Sequence, residues 1–301
     1  MKRTSVCIIG AGPSGITAAI YLKRANIPFI FFEKNMPGGK IPLTSRIDNY
    51  PGFINGDGVT LALQMIEQLN KNEIEVTYEE VHSVYKKDDI FIVESSKDMY
   101  ECTYVILATG TKERKLGLKE EDKYLNKGIS FCAICDGALY KNKDVALIGG
   151  GNSALEEALY LSSIVNKVYL IHRRNEFRGE SLLLDRVKKQ DNIIIYTPYV
   201  IKNIFGEDRV ESIIISSLEK EIELKVSGIF IYIGMNPSLE IIKDQIEIDN
   251  GYALVNEDMM TSLTNLYAIG DVRKKSLRQI VTAVNDGAIA SDSISRLIHH
   301  G

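Results

Sequence analysis

The feature that most constrains this chain is a glycine-rich strand–turn–helix fingerprint written twice, with a Cys-x-x-Cys between the copies. The first copy reads Val6-Cys7-Ile8-Ile9-Gly10-Ala11-Gly12-Pro13-Ser14-Gly15, and the second reads Val145-Ala146-Leu147-Ile148-Gly149-Gly150-Gly151-Asn152-Ser153-Ala154. They align at a constant offset of 139, and the agreement continues through Ala19/Ala158, Tyr21/Tyr160 and Leu22/Leu161. In each copy an apolar run enters the turn and an amphipathic helix leaves it. The first glycine allows the tight turn, the second lets the backbone approach a diphosphate, and the third position lets helix and strand pack closely. A helix start also favours negative charge, because its first N–H groups lack partners and the dipole is positive there. The candidate nucleotide contacts are Gly10, Gly12, Pro13, Ser14 and Gly15 in the first copy. In the second they are Gly149, Gly151, Asn152, Ser153 and Ala154.

The copies differ at the end of their second strands. Counting 23 positions from Gly10 reaches Glu33, whose carboxylate suits the ribose of an adenosine with a free 2′-OH, as in FAD or NAD. The same count from Gly149 reaches His172, followed by Arg173, Arg174 and Arg178, and arginines attract a 2′-phosphate and pair with it bidentately. The first site therefore fits FAD and the second NADPH. The expected fold class is α/β, with two Rossmann-like dinucleotide-binding domains. The run 105–110 and the similar run 266–271 indicate that the NADPH domain is inserted in the FAD domain. The expected limits are 1–114 and 245–301 for the FAD domain, and 115–244 for the NADPH domain with the cysteine pair. Two slim connections would let the domains rotate and present nicotinamide and dithiol to one flavin in turn.

Composition removes other classes. A chain of 301 residues with 45% hydrophobic and 25% charged residues suits two globular domains. A net charge of −4 provides no basic excess for nucleic acid. No apolar run approaches the roughly eighteen residues that a membrane span needs. The run 6–10 is too short for a signal-peptide core, so a cytoplasmic location is expected.

Cys132 and Cys135 can close a small disulfide ring, and the adjacent Asp136 can move a proton. The rival reading is half of a tetrahedral zinc site, which needs two further ligands. Candidates are Cys7, Cys102, His82, His172, His299 and His300. Cys7 belongs to the first strand, Cys102 has no partner pattern, and His172 falls in the phosphate site. No metal is therefore expected.

Further motifs follow in a characteristic order: Gly38-Gly39, Asn49-Tyr50-Pro51-Gly52, Ala108-Thr109-Gly110 and Cys132-Ala133-Ile134-Cys135-Asp136-Gly137. After them come His172-Arg173-Arg174-Asn175-Glu176-Phe177-Arg178, Gly270-Asp271-Val272-Arg273 and Leu277-Arg278-Gln279-Ile280-Val281-Thr282-Ala283. From end to end the chain resembles the low-molecular-weight, bacterial-type thioredoxin reductases. The resemblance implies three-layer β/β/α domains, a homodimer, FAD and NADPH as cofactors, and oxidised thioredoxin as protein substrate. Hydride would pass from NADPH to FAD, two electrons to Cys132–Cys135, and thiol–disulfide exchange would follow. It places Cys135 against the flavin, Cys132 as the attacking thiol and Asp136 as the acid–base residue. It adds Lys34, Gly38, Gly39, Lys40, Asn49, Val81, Ala108, Thr109, Gly110, Gly270, Asp271, Arg278, Gln279 and Ile280 to the flavin site.

Three departures stand out. Lys40 replaces the usual Gln and is expected to extend to solvent. Asn152 stands where Asp is frequent and is expected to cap its helix. The stretch after Glu33 is somewhat short.

The main alternative is a related flavoprotein disulfide reductase or dithiol oxidase that serves another thioredoxin-like protein or uses a donor such as ferredoxin. Such relatives lose the NADPH fingerprint and arginines, which this sequence keeps. A peroxidase-system flavoprotein would add an N-terminal thioredoxin-like module, and none is read here. A nucleotide-sensing protein would leave Cys132-x-x-Cys135-Asp136 unexplained. The charge run 119–123 reads as a solvated face, and 219–225 as an exposed strand.

Overall fold

The computed structural model describes residues 1–44, 47, 49–54 and 56–300. The chain divides into two compact units. One comprises Met1–Leu43, Ile47–Lys112 and Asn236–Gly301, and the other Thr44–Arg46 and Glu113–Met235.

The first unit opens with β1 (Lys2–Ile9), α1 (Pro13–Arg24), β2 (Phe29–Glu33), α2 (Gly58–Lys71) and β3 (Thr77–Tyr78). A meander follows: β4 (Val81–Lys87), β5 (Ile90–Ser95) and β6 (Met99–Leu107). The chain crosses at β7 (Thr111–Glu113). The second unit contains α3 (Glu121–Tyr124), β8 (Ile129–Ser130), α4 (Ala133–Asp136), β9 (Asp144–Gly149), α5 (Asn152–Ser162), β10 (Lys167–Ile171), α6 (Ser181–Lys188) and β11 (Ile193–Tyr196). It ends with β12 (Val200–Phe205), β13 (Ser212–Ser216), β14 (Glu221–Lys225) and β15 (Gly228–Tyr232). The chain returns at β16 (Met235–Pro237) and completes the first unit with β17 (Ile248–Asp249), β18 (Tyr252–Ala253), β19 (Leu266–Ala268) and α7 (Ile280–His300).

Both units follow one plan, as the duplicated fingerprint requires. In the first, β3-β2-β1-β6 run parallel, β19 adds in parallel to the end of β6, and β4-β5-β6 form the antiparallel meander. In the second, β11-β10-β9-β15-β8 are all parallel, and β12-β13-β14 form a separate meander. A parallel strand covered on both faces must be apolar throughout, and residues 145–149 of β9 are all buried. Each unit accordingly has two cores, one beneath the helices and one beneath the meander. The helix-side core of the first unit holds Ile8, Ile16, Leu22, Phe31 and Ile294; its meander-side core holds Phe32, Phe91 and Tyr100. Phe32 and Tyr100 meet edge to face at 4.9 Å. Each such buried side chain contributes about 1.5–3 kcal/mol.

The second crossing lies at Met235–Asn236, earlier than the expected 244–245 limit. The reason is packing: Ile242 and Ile246 belong to the meander-side core of the first unit, and Val84 donates its N–H to Ile241 O at 2.8 Å. Within the stretch 219–225, Glu221–Lys225 form strand β14, with mostly exposed side chains. The 119–123 run departs from expectation. Glu121 is only 3% exposed, and its carboxylate accepts the Leu116 and Gly117 N–H groups at 3.0 Å each, so it fastens a loop.

Candidate active site: two glycine turns and a disulfide

At the first turn, the three glycine positions meet different demands. Gly10 has φ +105°, and a Cβ there would lie 2.5 Å from Ala108 O. A Cβ at Gly15 would lie 1.9 Å from Gly10 O. These two are required by the protein's own packing. Gly12 is different: a Cβ would meet nothing closer than Gly39 Cα at 4.0 Å. The space above it is therefore available to a ligand. Gly12 is also the N-cap of α1, with no side-chain cap and Pro13 in the first turn, so the Ser14 and Gly15 amides begin the helix without a capping acceptor. These features suit a diphosphate.

Around this turn the structure gathers most of the expected flavin residues, at the carboxyl ends of β1, β2, β6 and β19. The order of β1 beside β6, with β2 on the far side, makes this the topological switch point where ligands bind in open α/β sheets. Glu33 ends β2; its carboxylate accepts Ala11 N–H and Asn35 N–H, each at 2.8 Å. Gly38 N–H binds Ala11 O at 2.7 Å, and Gly39 faces Gly12. Ala108 N–H donates to Ile9 O, Thr109 Oγ1 to Ser238 O at 2.6 Å, and Gly110 O accepts Ser238 N–H. A Cβ at Gly270 would lie 2.6 Å from Ser14 Oγ, which places the Gly270-Asp271 turn over the start of α1. Asn49 Nδ2 donates to Gln279 Oε1 at 3.0 Å, just before Ile280 opens α7. Arg278 lies 4.0 Å over the Tyr252 ring, with its buried Nε lacking a hydrogen bond among the described residues.

Two expected residues lie to one side. Lys34 is exposed and pairs with Glu80 at 3.1 Å. Val81 is buried in the meander-side core. Lys40 corrects an expectation: it does not run to solvent, since its ammonium donates to Thr111 Oγ1 at 2.9 Å. Burial pushes the Asp271 carboxyl up, while Lys275, Lys40 and Arg278 pull it down. Sequence reading missed Asp286. It is fully buried on α7, accepts Gly270 N–H at 2.9 Å, and pairs with Arg273 and Lys275.

The second turn repeats the logic. A Cβ at Gly149 would lie 2.6 Å from both the Ala154 methyl and Tyr232 O, whereas a Cβ at Gly151 would meet nothing. Gly151 is the N-cap of α5 with no side-chain cap, so Asn152 does not cap the helix as expected. Instead, Asn152 Oδ1 accepts Glu180 N–H at 2.7 Å and its Nδ2 donates to Glu180 Oε1. Ser153 follows in the first turn of α5. His172 turns inward: its ring stacks on Phe177, and Nε2 lies 3.0 Å from Glu176 O. Burial lowers its basicity, and the neighbouring arginines lower it further. A Cβ at Gly150 would strike this ring at 2.3 Å, which explains the extra glycine of the second copy. Arg173, Arg174 and Arg178 are all exposed, and the backbone amides of Arg178 and Gly179 bind Gly150 O at 2.7 and 3.1 Å. The turn thus holds the arginine loop beside it.

Cys132 and Cys135 form a disulfide across α4. Cys132 is the N-cap, and its Sγ accepts Cys135 N–H at 3.2 Å. Asp136 Oδ2 accepts the Ser130 hydroxyl at 2.7 Å, and Ser130 Oγ accepts Cys132 N–H at 3.1 Å. Ala133 N–H donates to the Tyr232 hydroxyl at 2.7 Å. Cys7 and Cys102 are buried thiols, and among the described residues no group of three or more His, Cys, Asp or Glu is arranged to hold a metal. No helix among the described residues is long and apolar enough to cross a membrane.

A match to the pyridine nucleotide-disulphide oxidoreductases spans residues 4–287. The chain belongs to this family. It is therefore an oxidoreductase of a class that works with a flavin and a nicotinamide nucleotide. A thioredoxin reductase of Mycoplasma genitalium is 43% identical over 289 residues, covering 94% of this chain and 91% of the relative. The crystal structure of thioredoxin reductase from Streptococcus pyogenes superposes with a TM-score of 0.89 at 39% identity, over 99% of both chains. A ferredoxin-flavin thioredoxin reductase from Clostridium acetobutylicum superposes with a TM-score of 0.57 at 30% identity, over 100% of both.

Proposed function

We propose that the protein is a thioredoxin-disulfide reductase that passes electrons from NADPH through FAD to Cys132–Cys135 and on to oxidised thioredoxin. In this reading it works as a cytoplasmic homodimer. The observation that carries it is a closed Cys132–Cys135 disulfide in the same unit as a ligand-open glycine turn and three exposed arginines. The first glycine turn, Glu33 and Asp271 would hold FAD, which when bound supplies the two-electron carrier between nucleotide and disulfide. The second turn would hold the NADPH diphosphate, and Arg173, Arg174 and Arg178 its 2′-phosphate.

Once the disulfide opens, Cys135 N–H is positioned to stabilise a thiolate on Cys132, which suits Cys132 to attack an incoming disulfide. Asp136, tied through Ser130 to the Cys132 amide, is placed to move the proton that exchange requires. Thioredoxin's couple lies near about −270 mV, so the dithiol must be about as reducing for transfer to run forward.

Anaerobic titration of the purified holoprotein with NADPH and with NADH, followed by oxidised thioredoxin, tests the reading. NADPH should bleach the flavin at lower concentration than NADH, and thioredoxin should restore the colour. Cys135→Ser should retain FAD and lose thioredoxin reduction. Bleaching by reduced ferredoxin, with no response to either nucleotide, would favour the donor of the Clostridium relative instead.

A further inference from the structure

Glu157 of α5 has no place in the scheme above, yet its setting is unusual for a surface-helix carboxylate. Its Oε2 is buried with no hydrogen-bond partner among the described residues. Burying an oxygen of an ionised carboxylate without a partner is costly, so the group gains from holding a proton. Its position explains the burial. One turn to either side along the same face of α5 lie Ala154 and Leu161, both fully buried. The Ala154 methyl packs against Gly149 at the end of β9, and Leu161 packs against Gly137 directly after α4. Glu157 therefore faces the space between the end of the sheet and the disulfide helix. Tyr232, the last residue of β15, pairs with Gly149, and its hydroxyl accepts the Ala133 N–H between the two cysteines. The groups within electrostatic reach are the exposed Glu156 next to it on α5, which acts on Glu157, and Asp136 from α4, which acts on the Tyr232 hydroxyl of β15. Burial, reinforced by Glu156, raises the Glu157 carboxyl to about 7. Burial and then the Glu157 charge raise Tyr232, which places the two groups within electrostatic reach.

We propose that Glu157 is a positioning residue for the dithiol, taking up a proton when the disulfide opens and sensing the new thiolate across Tyr232. The inference rests on the reductase reading of Cys132–Cys135. Opening the S–S bond consumes two electrons delivered by the flavin of that relay. One sulfur leaves as a thiol with one proton, and the other as a thiolate. The added negative charge raises the proton affinity of the Glu157 carboxylate, which takes a second proton from solvent. Up to two protons then enter for each electron pair near neutrality, where Glu157 is still partly ionised before the disulfide opens, and the second proton cancels the charge of the thiolate. Above that range, uptake falls to one.

The test equilibrates the holoprotein with dithiothreitol redox buffers across neutral pH and counts alkylated thiols. In the wild type, the reduction equilibrium should carry an extra proton dependence near neutrality, up to about tenfold per pH unit. Glu157→Gln should lose that extra dependence and be reduced severalfold more readily above neutrality. Tyr232→Phe should retain part of it. Superimposable wild-type and Glu157→Gln profiles would overturn the proposal. An independent measurement needs only the wild type: its infrared spectrum should gain a protonated-carboxyl band on reduction at neutral pH, and no gain would also overturn it. Because dithiothreitol opens the disulfide without any nucleotide, failure here differs from failure of the NADPH reading, which shows as a flavin that NADPH does not bleach.

Discussion

Asp286 has no exposed side-chain surface, yet its carboxylate accepts from Gly270 N–H, from Arg273 through two nitrogens, and from Lys275. Burial alone would push the group up; the hydrogen bonds and charges of Arg273 and Lys275 outweigh it and hold the carboxyl below its usual range. A carboxyl depressed on folding stabilises the protein above its unfolded value of about 3.9, and the gain is lost as pH falls through the folded value. Asp286→Asn should therefore cost about 3 kcal/mol at neutral pH, because it strands two cations, Lys275 almost fully and Arg273 largely withdrawn from solvent. Thermal unfolding of the two proteins should converge in acid; a gap that persists unchanged at low pH would refute this account. Nothing in the sequence marks Asp286, since its partners are specified only when α7 folds back over the Gly270 turn. Tyr232 is hidden for the same reason, 99 positions from the amide it binds. Glu33 was legible because a fixed number of residues separates the first turn from the end of the second strand. Lys40 was half-legible: its identity marked a departure, but the hydroxyl it binds lies 71 positions away.

The glycine turns separate two demands that a motif alone runs together. Gly10 and Gly149 serve the fold, whereas Gly12 and Gly151 face open space. Gly12 has φ −75° and Gly151 φ −99°, which alanine adopts without strain. Gly151→Ala should therefore leave the unfolding temperature nearly unchanged and weaken nucleotide binding, measured by calorimetry. Gly10→Ala should lower the unfolding temperature by several degrees or prevent folding, because its Cβ would overlap a backbone carbonyl at positive φ. Equal losses of stability in both variants would mean that the open turns serve packing. The sequence located both turns because strand, glycines and helix are contiguous. It did not reveal the role of Gly150, which makes room for the imidazole of His172, or the clamp of Asn152 on Glu180.

The second unit draws all but a few of its residues from the continuous stretch Glu113–Met235, which the chain enters and leaves by two crossings. It has its own sheet, meander and cores on both faces. A fragment of residues 113–235 should fold alone, unfold cooperatively and keep the Cys132–Cys135 disulfide. A fragment that binds hydrophobic dye and melts without a transition would show that it depends on the remainder. The insertion was readable from the returning run 266–271, but the exact crossing was not, because the isoleucines at 242 and 246 declare their side only once they pack against the meander.

The unit that begins first is finished last. As the chain emerges from the ribosome, β1 to β6 are made long before β19, which pairs with the end of β6, and before Gly287 of α7, which packs against Ser14 O and Thr17. The inserted unit has every strand it needs by Tyr232 and can fold in the meantime. Synthesis can thus complete the strands of the disulfide-bearing unit while the end of β6 still lacks its β19 partner.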